Sequence, residues 1–262
     1  MSIAEEVKPL FDEQRLRSDG VRFPAPLGLS WRLFHWMNYI IGGVTFTIGS
    51  YQYFPAVSGY VLGAWLFTIG SFGFAVADFN EWWTNNRVGC FYYADIEEIF
   101  ESSLANKNFQ PINSVIGKFQ RAENGLNFFL SLTGSALYLF GSILFIPDLN
   151  SIVAGTYIFI LGSAVIFTAQ SWKLWRVFYN REEKSVKFSH FLEDLPGTVV
   201  DLTAGLGGLC YLIGSVIFLP QYDVSEAETY QAAVWFQLGG LLYLLSGLAL
   251  GYRYFCTQNY PH

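Results

Sequence analysis

His35, Asp78, Glu81 and Asp201 are the side chains whose types could do chemistry inside an otherwise apolar chain. An imidazole and three carboxylates near one membrane boundary could hold a cation or relay a proton, since ionisable groups at membrane depth are costly and are kept where they function. The competing reading is interfacial anchoring, in which each polar tip reaches water from a helix end. No spacing in the sequence brings the four together, which favours anchoring. Metal ligation needs His, Cys or carboxylate sets at ligand spacing. His35, His190 and His262 are isolated, and there is no His-x-x-x-His, Cys-x-x-Cys or Glu-x-x-His, so no metal site is expected. Asn38, Asn127, Gln170 or Gln237 could ligate a pigment, and 19% aromatic residues would suit a pigment or quinone. Aromatic packing and interface belts account for the same residues. No Gly-x-Ser-x-Gly elbow or phosphate-cradling Gly-x-x-x-x-Gly-Lys loop occurs. Gly205-Leu206-Gly207-Gly208 lies in an apolar segment and reads as a packing face. The expectation is no catalytic residue, no enzyme, no cofactor beyond bound lipid, and no nucleic-acid partner.

The elements that would position these residues are membrane helices. Charged residues make up only 14% of the chain, against roughly 25% in soluble domains. Six apolar segments lie near residues 33–54, 57–78, 126–146, 151–172, 198–219 and 231–255, none with a charge near its middle. At roughly 1.5 Å per residue each crosses a hydrocarbon core of about 30 Å. The predicted fold is an all-α membrane protein of six transmembrane helices arranged as three repeated helical hairpins. Its parts are an arm (1–31), hairpin one (32–78), a linker with short helices (79–125), hairpin two (126–172), a basic linker (173–196), and hairpin three with a short tail (197–262). Within the linkers, Asp95-Ile96-Glu97-Glu98 looks like a helix N-terminus, and 113–123 like an interfacial helix.

The repeat is carried by a motif that closes the first helix of each pair. It reads Gly49-Ser50-x-x-x-x-Pro55, Gly141-Ser142-x-x-x-x-Pro147 and Gly214-Ser215-x-x-x-x-Pro220. The second helices echo it with Phe67-x-x-Gly70-Ser71, Phe159-x-x-Gly162-Ser163 and Phe236-x-x-Gly239-Gly240. Lipid is as apolar as leucine, so close contact through small residues must hold such helices together. Gly59, Gly63, Gly70, Gly73 and Ala77 form one such face, Gly240, Gly247 and Gly251 another, and Ala204 with Gly208 a third.

Paired membrane helices with Phe-x-x-Gly-Ser signatures resemble the YrhK-like membrane domain. The likeness extends over each hairpin, is best in the first two, and departs at Gly239-Gly240 and the longer third turn. The stretch Asp78 to Cys90 resembles the segment that follows such a hairpin in larger multi-pass relatives. The resemblance implies the fold and implies no chemistry.

All 15 Lys and Arg residues fall on one side of this arrangement, while the hairpin turns carry Asp148, Asp223, Glu226 and Glu228. By the positive-inside rule both termini and both linkers face the cytoplasm, matrix or stroma. Trp31, Trp36, Trp82, Trp83, Trp172 and Trp175 fall near that inner boundary, as an aromatic belt would. The function expected first is a structural or accessory subunit whose partners are lipids and other membrane subunits or itself. A transporter or channel for a small neutral or lipid-like solute, with a path along Thr45, Ser50, Tyr138, Ser142, Ser215 and Tyr243, is the alternative, followed by a pigment- or quinone-binding protein.

Overall fold

The computed structural model describes residues 29–84, 115–180, 185–186 and 195–257. These hold six long helices: α1 (Leu29–Tyr51), α2 (Tyr60–Thr84), α3 (Val115–Leu144), α4 (Ile152–Phe178), α5 (Leu195–Ile217) and α6 (Glu226–Phe255). A two-rung antiparallel ladder, β1 (Tyr179–Asn180) with β2 (Ser185–Val186), departs from a purely helical chain. The arm, the helix expected at Asp95–Glu98, Cys90 and His190 lie outside the described residues.

Five helices, α2 to α6, are long and apolar enough to cross a membrane. Helix α1 is diluted by polar groups, yet most of these are satisfied within the protein. Asn38 donates to the Phe34 carbonyl at 2.8 Å, Thr45 to Ile41 at 2.8 Å, and Thr47 to Gly43 at 2.8 Å. A hydropathy sum counts these groups as polar although lipid never meets their hydrogen-bonding capacity.

The helices run further than the apolar segments. Helix α2 continues through Asp78, Asn80 and Glu81 to Thr84, so Asp78 does not end it. The stretch 113–123 is not a separate interfacial helix, because α3 starts at Val115 and runs without a break. Helix α4 extends past 172 to Phe178, taking Lys173 out of the linker. Helix α6 starts at Glu226, not 231, because Ser225 caps it: the serine hydroxyl accepts from the Ala227 amide at 3.3 Å and pairs with the Glu228 carboxylate. In each case the apolar segment ends at the membrane boundary while the backbone continues as helix, in α3 even through Gly125.

Between α1 and α2, Pro55 lies in a turn closed by the Gly59 amide on the Gln52 carbonyl at 2.9 Å, with Ser58 at φ 50°. Between α3 and α4, Pro147–Leu149 forms one 3-10 turn that ends at Asn150, φ 48°. Asparagine tolerates this left-handed conformation better than most residues.

Consecutive helices pack in chain order, α1 on α2 through α5 on α6, and α6 packs back on α1. The result is a closed ring. Its outer wall is bulky and exposed, with Ile41, Ile48, Phe72, Phe140, Leu161 and Leu248 among the outward residues. Such a surface suits lipid and would be untenable in water. Every glycine in the α1–α6 seam faces the neighbouring helix: a methyl group at Gly43 would stand 2.8 Å from the Leu244 Cα, and one at Gly240 2.8 Å from the Thr47 Cα. Trp36 also belongs to this seam, where its Nε1 donates to the Gly247 carbonyl at 3.0 Å.

Candidate functional site

The interior of the ring holds the residues that could act. At its middle sit six aromatic side chains, Phe46, Phe67, Tyr138, Phe159, Tyr211 and Phe236, one from each helix, each 0–1% exposed. Each stands three residues before a motif glycine, so one turn of helix puts ring and glycine on one face. The contacts are reciprocal within a pair. A methyl group at Gly70 would strike the Phe46 ring, and one at Gly49 the Phe67 ring. Gly162 faces Tyr138 and Gly141 faces Phe159; Gly239 faces Tyr211 and Gly214 faces Phe236. Glycine lets each ring lie against the opposing backbone. Phe46 alone meets Phe67, Phe74, Tyr138, Phe159, Tyr211 and Tyr243 at centroid distances of 5.0 to 6.2 Å. The sequence singles out Phe67, Phe159 and Phe236 in the repeat motif and Tyr138 on the suggested solute path, but not Phe46 and Tyr211, although the same aromatic-x-x-Gly spacing marks all six.

Gly63 departs from the expected helix face. It meets the Tyr53 ring and Gln52 of the adjoining turn, so it packs that turn and not a neighbouring helix.

The motif hydroxyls are largely spent on each other. Ser71 and Ser142 lie 2.9 Å apart across the α2–α3 seam. Ser50 meets the Tyr211 hydroxyl at 2.8 Å and Tyr138 meets Tyr243 at 3.1 Å, both between helices that are not neighbours in the ring. Ser163 lies 3.0 Å from the Tyr138 hydroxyl and 2.8 Å from the Phe159 carbonyl. Gly240 has no hydroxyl to offer, and the buried Ser215 Oγ has no partner among the described residues. Removing the Tyr138 hydroxyl (Tyr138→Phe) should therefore cost about 0.6 kcal/mol, the average for hydrogen bonds between membrane helices, and at most about 1.7 kcal/mol. Ser215→Ala should be neutral or stabilising, because it removes a buried group with nothing to bond. Thermal melting of the two variants checks this, and equal losses in both would refute it.

The end of the interior where α1 begins and α6 ends is polar on several helices. His35 is buried, stacked on Trp31 at 5.1 Å, with its Nδ1 3.0 Å from the Tyr254 hydroxyl. Asp78 is in hydrogen-bonding reach of Ser135 and feels Glu81 and Lys173. His35 feels the same two charges. Asp201 pairs with the Lys173 ammonium at 3.9 Å, each side chain 21% exposed. Tyr39, on α1, lies within electrostatic reach of Asp78, Glu81 and Asp201, and its hydroxyl meets Ser246 at 3.1 Å. The structure thus brings His35, Asp78, Glu81 and Asp201 to one end of one interior, and adds a group that sequence reasoning left in the basic linker, Lys173. Among the described residues no three His, Cys, Asp or Glu side chains converge as metal ligands would.

Of the four amides considered as pigment ligands, Asn38 and Asn127 donate to the Phe34 and Ala169 carbonyls at 2.8 and 2.9 Å. Gln170 and Gln237 each bury an Oε1 with no partner among the described residues.

Residues 30–77 match the family model of YrhK-like proteins. The matched stretch is α1, its turn and α2 as far as Ala77. No match was found among curated proteins or among solved structures.

Proposed function

From this YrhK-like helix pair and its membrane-length neighbours, we propose that the chain is a six-span, non-conducting integral membrane protein, built as three repeated hairpins, that serves as a structural or accessory subunit of a membrane assembly. The observation that carries the reading is the aromatic layer. Six rings with 0–1% exposure, joined in one network of ring contacts, fill the middle of the ring, and dense interiors leave few voids larger than a water molecule. Most hydroxyls of the suggested solute path are committed: Ser50 to Tyr211, Ser142 to Ser71, Tyr138 to Tyr243 and Thr45 to the Ile41 carbonyl. Purified protein in sealed vesicles should therefore pass glycerol, urea and small sugars no faster than empty vesicles do. Flux above that background which falls when Tyr138 or Phe159 is changed would overturn the non-conducting reading.

A transporter is the second reading, favoured by the polar inner half alone. It requires the aromatic layer to part during a cycle, and the same flux assay decides between the two.

The proposed orientation puts the acidic turn at Asp223–Glu228 outside and the α6 C-terminus inside. Ser225 and Cys256 are both exposed, so both can report. In intact cells Ser225→Cys should react with a membrane-impermeant maleimide while the parent chain, carrying Cys256, does not. Labelling of Cys256 from outside would reverse the topology.

A further inference from the structure

A polar side chain that reaches the lipid side of a membrane helix needs a hydrogen-bond partner, because hydrocarbon supplies none. Thr45, Thr68, Thr133 and Thr168 reach the wall of the ring, part-exposed or exposed. Each donates to the carbonyl four residues back on its own helix, at 2.8 to 2.9 Å. Gln237 is different. It lies on α6 one residue past Phe236, at the depth of the aromatic layer, and is half-buried. Its Oε1 is buried without a partner, and its side chain makes no hydrogen bond among the described residues. Three residues on, Gly240 meets the Thr47 backbone of α1, and seven residues on, the Leu244 Cα meets Gly43. One and three helical turns on, Leu241 and Leu248 are exposed on the same side of α6. Val44 and Ile48 of α1 are exposed as well. The amide therefore sits where the α1–α6 seam opens onto an apolar wall.

We propose that this edge of the ring pairs with the same edge of a second copy of the chain in the membrane, with the two Gln237 amides hydrogen-bonded across the interface. The amide itself selects that occupant. It carries both a donor and an acceptor, so it is its own complement. A two-fold interface is one in which each surface patch meets itself. Two copies inserted the same way, and related by an axis along the membrane normal, hold their Gln237 side chains at one depth. The terminal torsion of glutamine is broad, so either end of the amide can turn to the partner. No charged residue occurs between Tyr230 and Tyr252, so this face does not call for a partner of opposite charge. The exposed leucines supply packing, and the amide pair supplies register. The inference rests on the membrane-spanning reading of α6 and holds with or without further subunits.

The test places the full chain, fused to a fluorescent protein, in lipid vesicles and counts copies by single-molecule photobleaching as lipid is added. Two-step bleaching should give way to one-step bleaching on dilution. Gln237→Leu, which suits lipid better than the amide does, should dissociate at about tenfold higher protein density. Leu161→Ala, on the exposed wall of α4, should match the parent chain. In native membranes Leu241→Cys should form more disulfide-linked second copy than the parent chain does, and Leu161→Cys should not. One copy per spot at every dilution would overturn the proposal. So would a Gln237→Leu dimer as tight as the parent, or a Leu241→Cys cross-link to a different polypeptide. A chain stripped from the vesicles by an alkaline wash would sink the membrane reading and the pairing together. A chain that stays in the membrane as a monomer sinks the pairing alone.

Discussion

Gly240→Ala should destabilise the ring by about 1–3 kcal/mol, and Gly240→Leu by more, the largest effect expected of any single substitution in this chain. The reason is what the new atom would meet. A Cβ at Gly240 stands 2.8 Å from the Thr47 Cα and 2.9 Å from the Thr47 amide nitrogen, which are backbone atoms and cannot rotate away. Carbon atoms prefer about 3.5–4.0 Å, so α1 and α6 must separate by roughly an ångström along the seam. That separation would strain the Trp36 to Gly247 bond and the buried bond from Arg32 Nη1 to the Tyr254 carbonyl, 2.7 Å long. It also opens the one seam that joins the first helix to the last. Gly125→Ala is the control. Among the described residues nothing lies within 4 Å of its would-be Cβ, and replacing a mid-helix glycine gains about 0.5–1 kcal/mol. Melting in detergent should fall by about 5–10 °C for Gly240→Leu and hold or rise for Gly125→Ala, using about 2–4 °C per kcal/mol for a chain of this size. Unchanged melting of Gly240→Leu would refute the close-packed seam.

Phe46→Ala is expected to be the next most costly. The ring is fully buried among six other rings. In water such a truncation costs about 3–5 kcal/mol. In a membrane the transfer part shrinks, because an unpacked phenylalanine would still lie in lipid. The cavity part does not shrink, and lost dispersion contacts dominate. About 2–4 kcal/mol is the expected loss, against a smaller one for outward-facing Phe72→Ala, whose side chain is 59% exposed. A Phe46→Ala melting curve that overlays that of Phe72→Ala would contradict the aromatic layer.

The sequence made the number of long helices legible, because a 20-residue apolar run has few other uses. It made the glycine positions legible too, since small residues at helical spacing in lipid imply close contact. What each glycine meets was not legible. Gly63 looked like a helix–helix contact and packs its own turn, while Gly240 meets backbone across the ring closure, and chain order alone does not say which helices are neighbours. The layer itself is hard to read because Phe46, Tyr138 and Tyr211 lie in first helices, where the Gly-Ser-x-x-x-x-Pro motif dominates the pattern. Lys173 was assigned to topology because charges near a membrane boundary usually serve that end. Only the extension of α4 to Phe178 puts it opposite Asp201. His35 looked like an isolated histidine because its partner, Tyr254, is 219 residues away.

The proposed role makes this closed ring one part of a larger membrane assembly. The most direct test is the native mass and protein content of the complex extracted in mild detergent. A discrete assembly with at least one other polypeptide at fixed stoichiometry is expected. A lone 29.6 kDa chain or homo-oligomer that moves a solute across reconstituted vesicles would contradict it.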